Sequence, residues 1–319
     1  MSRIMAGRQI AIIAGGTGSA KLVRGLASII PQERLVVIGN VGDNFQLYGL
    51  QVCPDLDTIM YLLAGILDRK RGWGVKRETF NMLKTLRKYG VEAWFRLGDR
   101  DLATHLYRTW LMALGLTLSE VTRRLAEALH VKARIIPATN SPLQTYIKTA
   151  EAGAVHLQEF WVKMKAKPRV LGVEYRGASK AKPAPGVVQA IEKAEAVIIP
   201  PANPVTSIGP TLAIPAVKEA LKQAEGVVVA VSPLTGGKPF SGPAGKLMKG
   251  LGMKVSTLTI AQLYQEFLSL LAVDRADARF KRQIEALGVE CLVTSTRMSS
   301  LKDEKRLAGE ILNAAGIRL

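Results

Sequence analysis

Seven loops rich in glycine, asparagine, aspartate or proline punctuate an otherwise apolar chain. They are GGTGSAKL, NVGDN, CPDLDT, LGDRDLATH, ATNSP, ANPVTSIGP and SPLTGGKPFSGPAGK. Most of them follow a short apolar run, and several open a helical pattern. That arrangement confines the chain to an open α/β sheet, where ligands gather outside the carboxyl ends of the strands. Loops with few bulky side chains and many backbone amides suit a large phosphorylated ligand.

Residues 9–14 read as a buried strand, followed by GGTGSAKL and a helix that runs through 26–30. Leu35–Gly39 is a second strand, ending at Asn40 and the NVGDN loop. This is the opening of a Rossmann-like, doubly wound, mostly parallel sheet. Further strands are expected at Arg134–Pro137, 196–200, 227–232 and 289–293, with a hairpin from 144–148 and 155–162. Pro54 introduces a helix over 59–67, for which Asp55 or Asp57 is the expected N-cap. Apolar residues then recur every three or four positions over 78–129, predicting an almost wholly helical stretch. The expected organisation is one α/β domain, 1–319, with a helical insertion at 58–130.

Hydrophobic residues make up 48% and charged residues 22% of the 319, an ordinary globular balance. No apolar run reaches the roughly 20 residues that span a bilayer, so no membrane partner is expected. The start, MSRIMAGRQIAIIAGG, reads as a first strand rather than as a signal peptide. Cys53 and Cys291 stand far apart, and His105, His130 and His156 have no local zinc spacing. A reducing cytoplasm is the expected setting. The net charge of +18 is spread in short groups such as Arg69-Lys70-Arg71 and Lys76-Arg77, without an aromatic platform for bases. Nucleic acid is therefore not the expected partner. A positive field also steers small anions into a cleft.

Gly15-Gly16-Thr17-Gly18-Ser19-Ala20-Lys21 joins a strand to a helix, so its amides can approach a phosphate at the positive end of the helix dipole. It is neither a Walker A loop nor a GxGxxG fingerprint. Acidic residues cluster in three loops: Asp43, then Asp55 and Asp57, then Asp99 and Asp101. Converging on one sheet edge, they suit Mg²⁺, which takes one or two carboxylates plus substrate oxygens and water. The blander alternatives are helix capping by Asp55 or Asp57 and pairing of Asp99 with Arg100. Asn203, Ser207 and Gly209 lie in a loop able to read a base or hold a diphosphate. Lys246, in the first turn of a helix, suits either a bound anion or solvent. His105 is expected to serve as a hydrogen-bonding residue rather than a general base.

Taken in order, GGTGSAKL, CPDLDT, WGV at 73–75, LGDRDLATH, QEFWV at 158–162, ANPVTSIGP and SGPAGKLM resemble one family. It is that of the 2-phospho-L-lactate transferases of deazaflavin coenzyme F-420 biosynthesis, and the resemblance runs from about Ile10 to Thr296. It implies transfer of a phospho-lactyl or phosphoenolpyruvyl group from a guanosine-diphosphate-linked donor, with GMP leaving. The acceptor would be the ribityl 5′-hydroxyl of 7,8-didemethyl-8-hydroxy-5-deazariboflavin, Mg²⁺ the cofactor and a homodimer the usual assembly. On this reading Mg²⁺ sits on Asp43 and Asp57, and Asp43, Asp57 and Arg100 carry the catalysis. Asp57 and Arg96 meet the deazaflavin, and Gly15, Gly16, Thr17, Gly18, Lys21, Asn40, Asn203, Ser207 and Gly209 complete the substrate contacts. Asn44 stands where many relatives carry a second aspartate, which keeps a ligand oxygen but not its charge. The alternative is a non-catalytic, nucleotide-binding regulator of the gluconeogenesis-factor type, which shares the GGTG loop; LGDRD and QEFWV favour the transferase.

Overall fold

The computed structural model describes residues 8–240 and 242–317. The residues ahead of Arg8, which lead into the expected first strand, and Ser241 in the last rich loop lie outside that description. In chain order the strands are β1 (Ile10–Ala14), β2 (Leu35–Gly39), β3 (Phe45–Leu47), β4 (Leu50–Val52), β5 (Arg134–Pro137), β6 (Gln144–Thr149) and β7 (Gly153–His156). Then follow β8 (Val170–Arg176), β9 (Ala196–Ile199), β10 (Val227–Val231), β11 (Leu234–Thr235), β12 (Lys238–Pro239), β13 (Leu270–Asp274) and β14 (Glu290–Thr294). The helices are α1 (Gly16–Ala27), α2 (Pro54–Leu63), α3 (Asn81–Lys88), α4 (Asp99–Ala113), α5 (Leu118–Ala128) and α6 (Val187–Glu192). They continue with α7 (Gly209–Leu212), α8 (Pro215–Lys222), α9 (Ala244–Gly250), α10 (Thr257–Tyr264), α11 (Lys281–Glu285) and α12 (Leu301–Ala314).

Seven strands form one sheet in the order β14-β13-β10-β9-β1-β2-β5, and every neighbouring pair is parallel. The apolar runs explain it. Every residue of β1, β2, β9 and β13 is buried, as a sheet covered on both faces requires. From β1 the chain winds outward through β2 to β5, and its later half winds the other way through β10, β13 and β14. Right-handed crossovers in opposite directions put helices on both faces. The reversal falls between β1 and β9, so the loops leaving those two strands part and leave a crevice.

This is the doubly wound α/β fold expected from the sequence. Several local expectations change. The helix expected at 59–67 is α2, which starts at Pro54 behind Cys53, so Asp55 and Asp57 lie inside its first turn and neither is the N-cap. A boundary at 58 falls within α2, which packs on α1, β2 and β5. The stretch 78–129 is not continuously helical: residues 89–98 form a loop whose Trp94, Phe95 and Leu97 cluster with Phe45 and Val52. The hairpin is β6–β7, joined on its other side by β8. It ends at His156, because Glu159–Lys163 turns as a π-helix instead of continuing the strand. Among the described residues no helix is long and apolar enough to cross a membrane.

Candidate active site

A cleft of about 540 Å³ opens at the carboxyl ends of β1, β2, β9 and β10. One end is built by the β1–α1 turn and the loop after β9. These loops touch so closely that a Cβ on Gly18 would lie 2.2 Å from the Pro201 carbonyl oxygen. Gly16 has φ +69°, a left-handed conformation that glycine adopts without strain. The N-cap of α1 is Gly15, with no side-chain cap and no acidic residue in the first turn. The helix therefore presents the positive end of its dipole and the amides of Thr17 and Gly18 to the cleft, while the Gly16 amide donates to Asp55. Opposite them, Asn203 accepts hydrogen bonds from the Val205 and Thr206 amides and folds its loop into a π-helical turn, Pro204–Ile208. Thr206 and Ser207 of that turn line the cleft.

Four buried carboxylates line the floor and far wall, and each is held differently. Asp55 accepts from the Gly16 amide at 2.7 Å and from Asn40 Nδ2 at 2.9 Å. Burial nevertheless pushes its carboxyl up to about 6. Asp57 is gripped at both oxygens by Arg108, with Nη1 donating to Oδ2 at 3.0 Å and Nη2 to Oδ1. Asp101 accepts from the Tyr61 hydroxyl at 2.8 Å and lies 3.2 Å from His105 Nε2. Burial alone would raise it, but His105 and Tyr61 hold it below the usual carboxylate range. Asp43, 5% exposed, receives one hydrogen bond, from Gln158 Nε2 to Oδ2 at 3.2 Å. Among the described residues its Oδ1 has no partner, nor does the buried Oδ1 of Asn44. Burial and then the charge of Asp55 raise the Asp43 carboxyl well above its ordinary value. The unpartnered Asp43 oxygen is a hard donor in the cleft that fits Mg²⁺, and Asp57, Asp101 and His105 bring further ligand atoms within 4.8 Å of one another.

The mouth carries a wall of alternating cations and rings. The Arg71 guanidinium lies 5.0 Å from the Trp73 ring centre and 5.4 Å from that of Phe80, and Arg96 lies 4.7 Å from Phe80 and 5.9 Å from Trp73. Exposed Trp161 and Phe240 line the cleft as well. Two exchanged caps hold this wall in place. Glu78, ahead of α3, accepts from the Arg100 and Asp101 amides at the start of α4. In return Asp99 accepts from the Asn81 and Met82 amides at the start of α3.

Of the expected site residues, Gly16, Thr17, Gly18, Asp43, Asp57, Arg96, Asn203 and Ser207 line the cleft. The others stand outside it. Lys21 donates to the Met298 carbonyl across α1. Arg100 is exposed and reaches the Lys76 carbonyl, so it carries no catalytic group into the cleft. Gly15 lies one residue behind the lining turn, its amide donating to Ser19 Oγ. Asn40 is fully buried beneath the floor, where its amide joins Asp55 to the Thr206 carbonyl and its Oδ1 holds the Gly42 amide. Gly209 opens α7 behind the π-helical turn, with the Tyr175 hydroxyl in the space a Cβ would need. Asp57 lines the cleft with Arg108 on both its oxygens, and it still offers a ligand atom within 4.8 Å of those of Asp101 and His105. Asp99 caps α3 rather than pairing with Arg100, and Lys246 donates to the Ala166 and Lys167 carbonyls. His105 stands between Asp57 and Asp101, with Nδ1 3.6 Å from Asp57 Oδ2 and Nε2 3.2 Å from Asp101 Oδ1, and its Nδ1 meets Arg108 Nη1 at 3.2 Å. Arg108 escaped the sequence reading because its partner stands 51 positions away.

A doubly wound sheet with a helix N-terminus and buried carboxylates in one cleft at its switch point defines a Rossmann-like α/β protein. The family model described as 2-phospho-L-lactate transferase CofD matches residues 10–295. The chain belongs to that family and is a transferase. A 2-phospho-L-lactate transferase of Methanosarcina mazei is 41% identical over 303 residues, 95% of this chain and 99% of the relative. A phosphoenolpyruvate transferase of Streptomyces coelicolor is 40% identical over 312 residues, 96% of this chain and 98% of the relative. A solved structure of a UPF0052 family member from Bacillus halodurans superposes with a TM-score of 0.63, covering 96% of this chain and all of that one. At 17% identity that likeness concerns the fold.

Proposed function

We propose that this chain transfers a phospho-lactyl or phosphoenolpyruvyl group from a guanosine-diphosphate-linked donor to the ribityl 5′-hydroxyl of 7,8-didemethyl-8-hydroxy-5-deazariboflavin, releasing GMP. The observation that carries the reading is the polarity of the cleft. The first-turn amides of Thr17 and Gly18 share one crevice with a set of carboxylates, of which Asp55 holds the Gly16 amide, and a cation–aromatic wall stands at its mouth. The amides and the Asn203 loop receive the diphosphate. Trp73 and Arg96 offer flat partners to the deazaflavin ring. Asp43, with Asn44 beside it, would hold Mg²⁺, which when bound neutralises charge building on the diphosphate. The protein's own share is placement: phosphoryl transfer needs the hydroxyl and the phosphorus held in line more than it needs covalent help.

Two further features of the family resemblance belong to this proposal. The homodimer has a candidate face on α4, where Leu106, Trp110 and Leu114 recur every four residues and are all more than half exposed. The cytoplasmic setting accords with two free, buried cysteines.

Mass-spectrometric turnover tests the reading. Protein, Mg²⁺ and the deazaflavin acceptor are given the lactyl and enolpyruvyl donors in parallel. A phosphodiester product with GMP is expected. Tight nucleotide binding by folded protein without product would replace the transferase with the regulator.

A further inference from the structure

We propose that Arg108 is the positioning residue of the transfer: it grips Asp57 by both oxygens and so fixes that carboxylate at the acceptor end of the cleft. The inference rests on the proposed activity. Arg108 sits on α4, is completely buried and is absent from the cleft wall, so it acts through Asp57. One guanidinium edge bridges the Asp57 oxygens, and Nη1 also reaches His105 Nδ1 at 3.2 Å and the Gln51 carbonyl at 3.3 Å. The neighbouring acids lack such a partner: Asp55 is held by neutral donors and Asp43 by a single amide. The one fully buried arginine of this cluster is therefore spent on the carboxylate beside the aromatic wall. Asp57 lines the same cleft as Trp73 and Arg96 of that wall, and His105 stands between it and Asp101, with Nδ1 3.6 Å from Asp57 Oδ2 and Nε2 3.2 Å from Asp101 Oδ1.

A buried ion pair is a poor way to gain stability, since apolar side chains of similar volume do as well. What a planar two-point fork supplies is direction. It sets both the plane and the position of the Asp57 carboxylate, leaving the remaining lone pairs for an incoming hydroxyl.

The test compares wild type with Arg108→Gln, Arg108→Lys, Asp57→Asn and the Asp57→Asn/Arg108→Gln double variant. Steady-state kinetics are read for each substrate, and acceptor affinity is read separately by titrating deazaflavin fluorescence. Arg108→Gln is expected to lower kcat and raise the acceptor KM, together about 10- to 100-fold, with the donor KM within about threefold of wild type. Arg108→Lys keeps the charge but loses the fork, and shows the same split with a smaller loss. In the Asp57→Asn background, Arg108→Gln adds less than about threefold, because its route of action is already gone. Wild-type kinetics in both Arg108 variants, equal changes in both KM values, or losses that multiply in the double variant would overturn the proposal. Should Arg108→Gln fail to fold, Arg108→Lys and the charge-balanced double variant decide. A wild type that yields no product sinks the activity instead. The acceptor titration then still judges Arg108, since unchanged affinity in Arg108→Lys refutes it.

Discussion

Replacing Asp55 by asparagine should change stability by an amount that depends on pH, in a direction the structure dictates. The wild-type carboxyl is held near 6 in the folded protein, against 3.8 ordinarily, because burial outweighs its two hydrogen bonds. A raised value means that the folded state binds the extra proton more tightly. Its contribution is therefore complete below the ordinary 3.8, and stability drains away as pH rises through about 6. A shift of that size corresponds to about 3 kcal/mol in full, of which about 2 kcal/mol falls between pH 4 and pH 8. Asparagine has no charge to bury, but its amide turns a donor toward either Gly16 N–H or the Asn40 amide, and Asn40 cannot flip without releasing the Gly42 amide. That conflict costs about 1–3 kcal/mol at every pH. Asp55→Asn should thus be destabilising by about 2 kcal/mol at pH 4.5 and close to neutral at pH 8. Urea unfolding of both proteins at the two pH values, without divalent cation, measures the difference. A penalty that is the same at both pH values would refute the assignment of a raised, burial-dominated carboxyl to Asp55.

Other perturbations probe separate links. Gly18→Ala drives a methyl into the Pro201 carbonyl, which is backbone and cannot swing aside, so a loss of about 1–3 kcal/mol and weaker nucleotide binding are expected from thermal melts and GDP titration. Arg24→Met strands Glu304, which is 1% exposed and loses its only ion-pair partner among the described residues. Urea unfolding should show a loss of about 3–5 kcal/mol, with kcat of the folded fraction unchanged. Asp43→Asn should lower kcat/KM by at least about 100-fold, or about 2.7 kcal/mol of transition-state stabilisation, and weaken Mn²⁺ binding followed by electron paramagnetic resonance. Retained turnover or retained Mn²⁺ affinity would move the cation elsewhere.

The parallel sheet was legible because its strands are short apolar runs ended by glycine, asparagine or proline, as in IAIIA before Gly15 and LVVIG before Asn40. Being buried on both faces, they left little room for another reading. The half-exposed β8 carries no comparable run, and LLAVD of β13 sits in a longer apolar stretch that helices also use. In the site, backbone features were readable and side-chain partnerships were not. The glycines of the β1–α1 turn announce a close approach by their identity alone. Asn40 looked like a ligand residue for the same reason that it makes a good buried strut: its amide both donates and accepts. Arg108 lies in a helix beside Tyr107 and Trp110, where a basic residue ordinarily points to water. Only the fold brings it against α2.

The exchange of caps between Glu78 and Asp99 gives the mouth of the cleft an unusual kind of continuity. Each acid lies near one helix start in the chain and satisfies the amides of the other, so the link between α3 and α4 does not depend on the covalent path that joins them. That path includes 89–93, where Tyr89 is 75% exposed, while Arg96 is already anchored against Phe80. New chain ends opened within 89–93 should leave the cation–aromatic wall standing, which makes this segment the natural point of entry for a circular permutation or an inserted reporter.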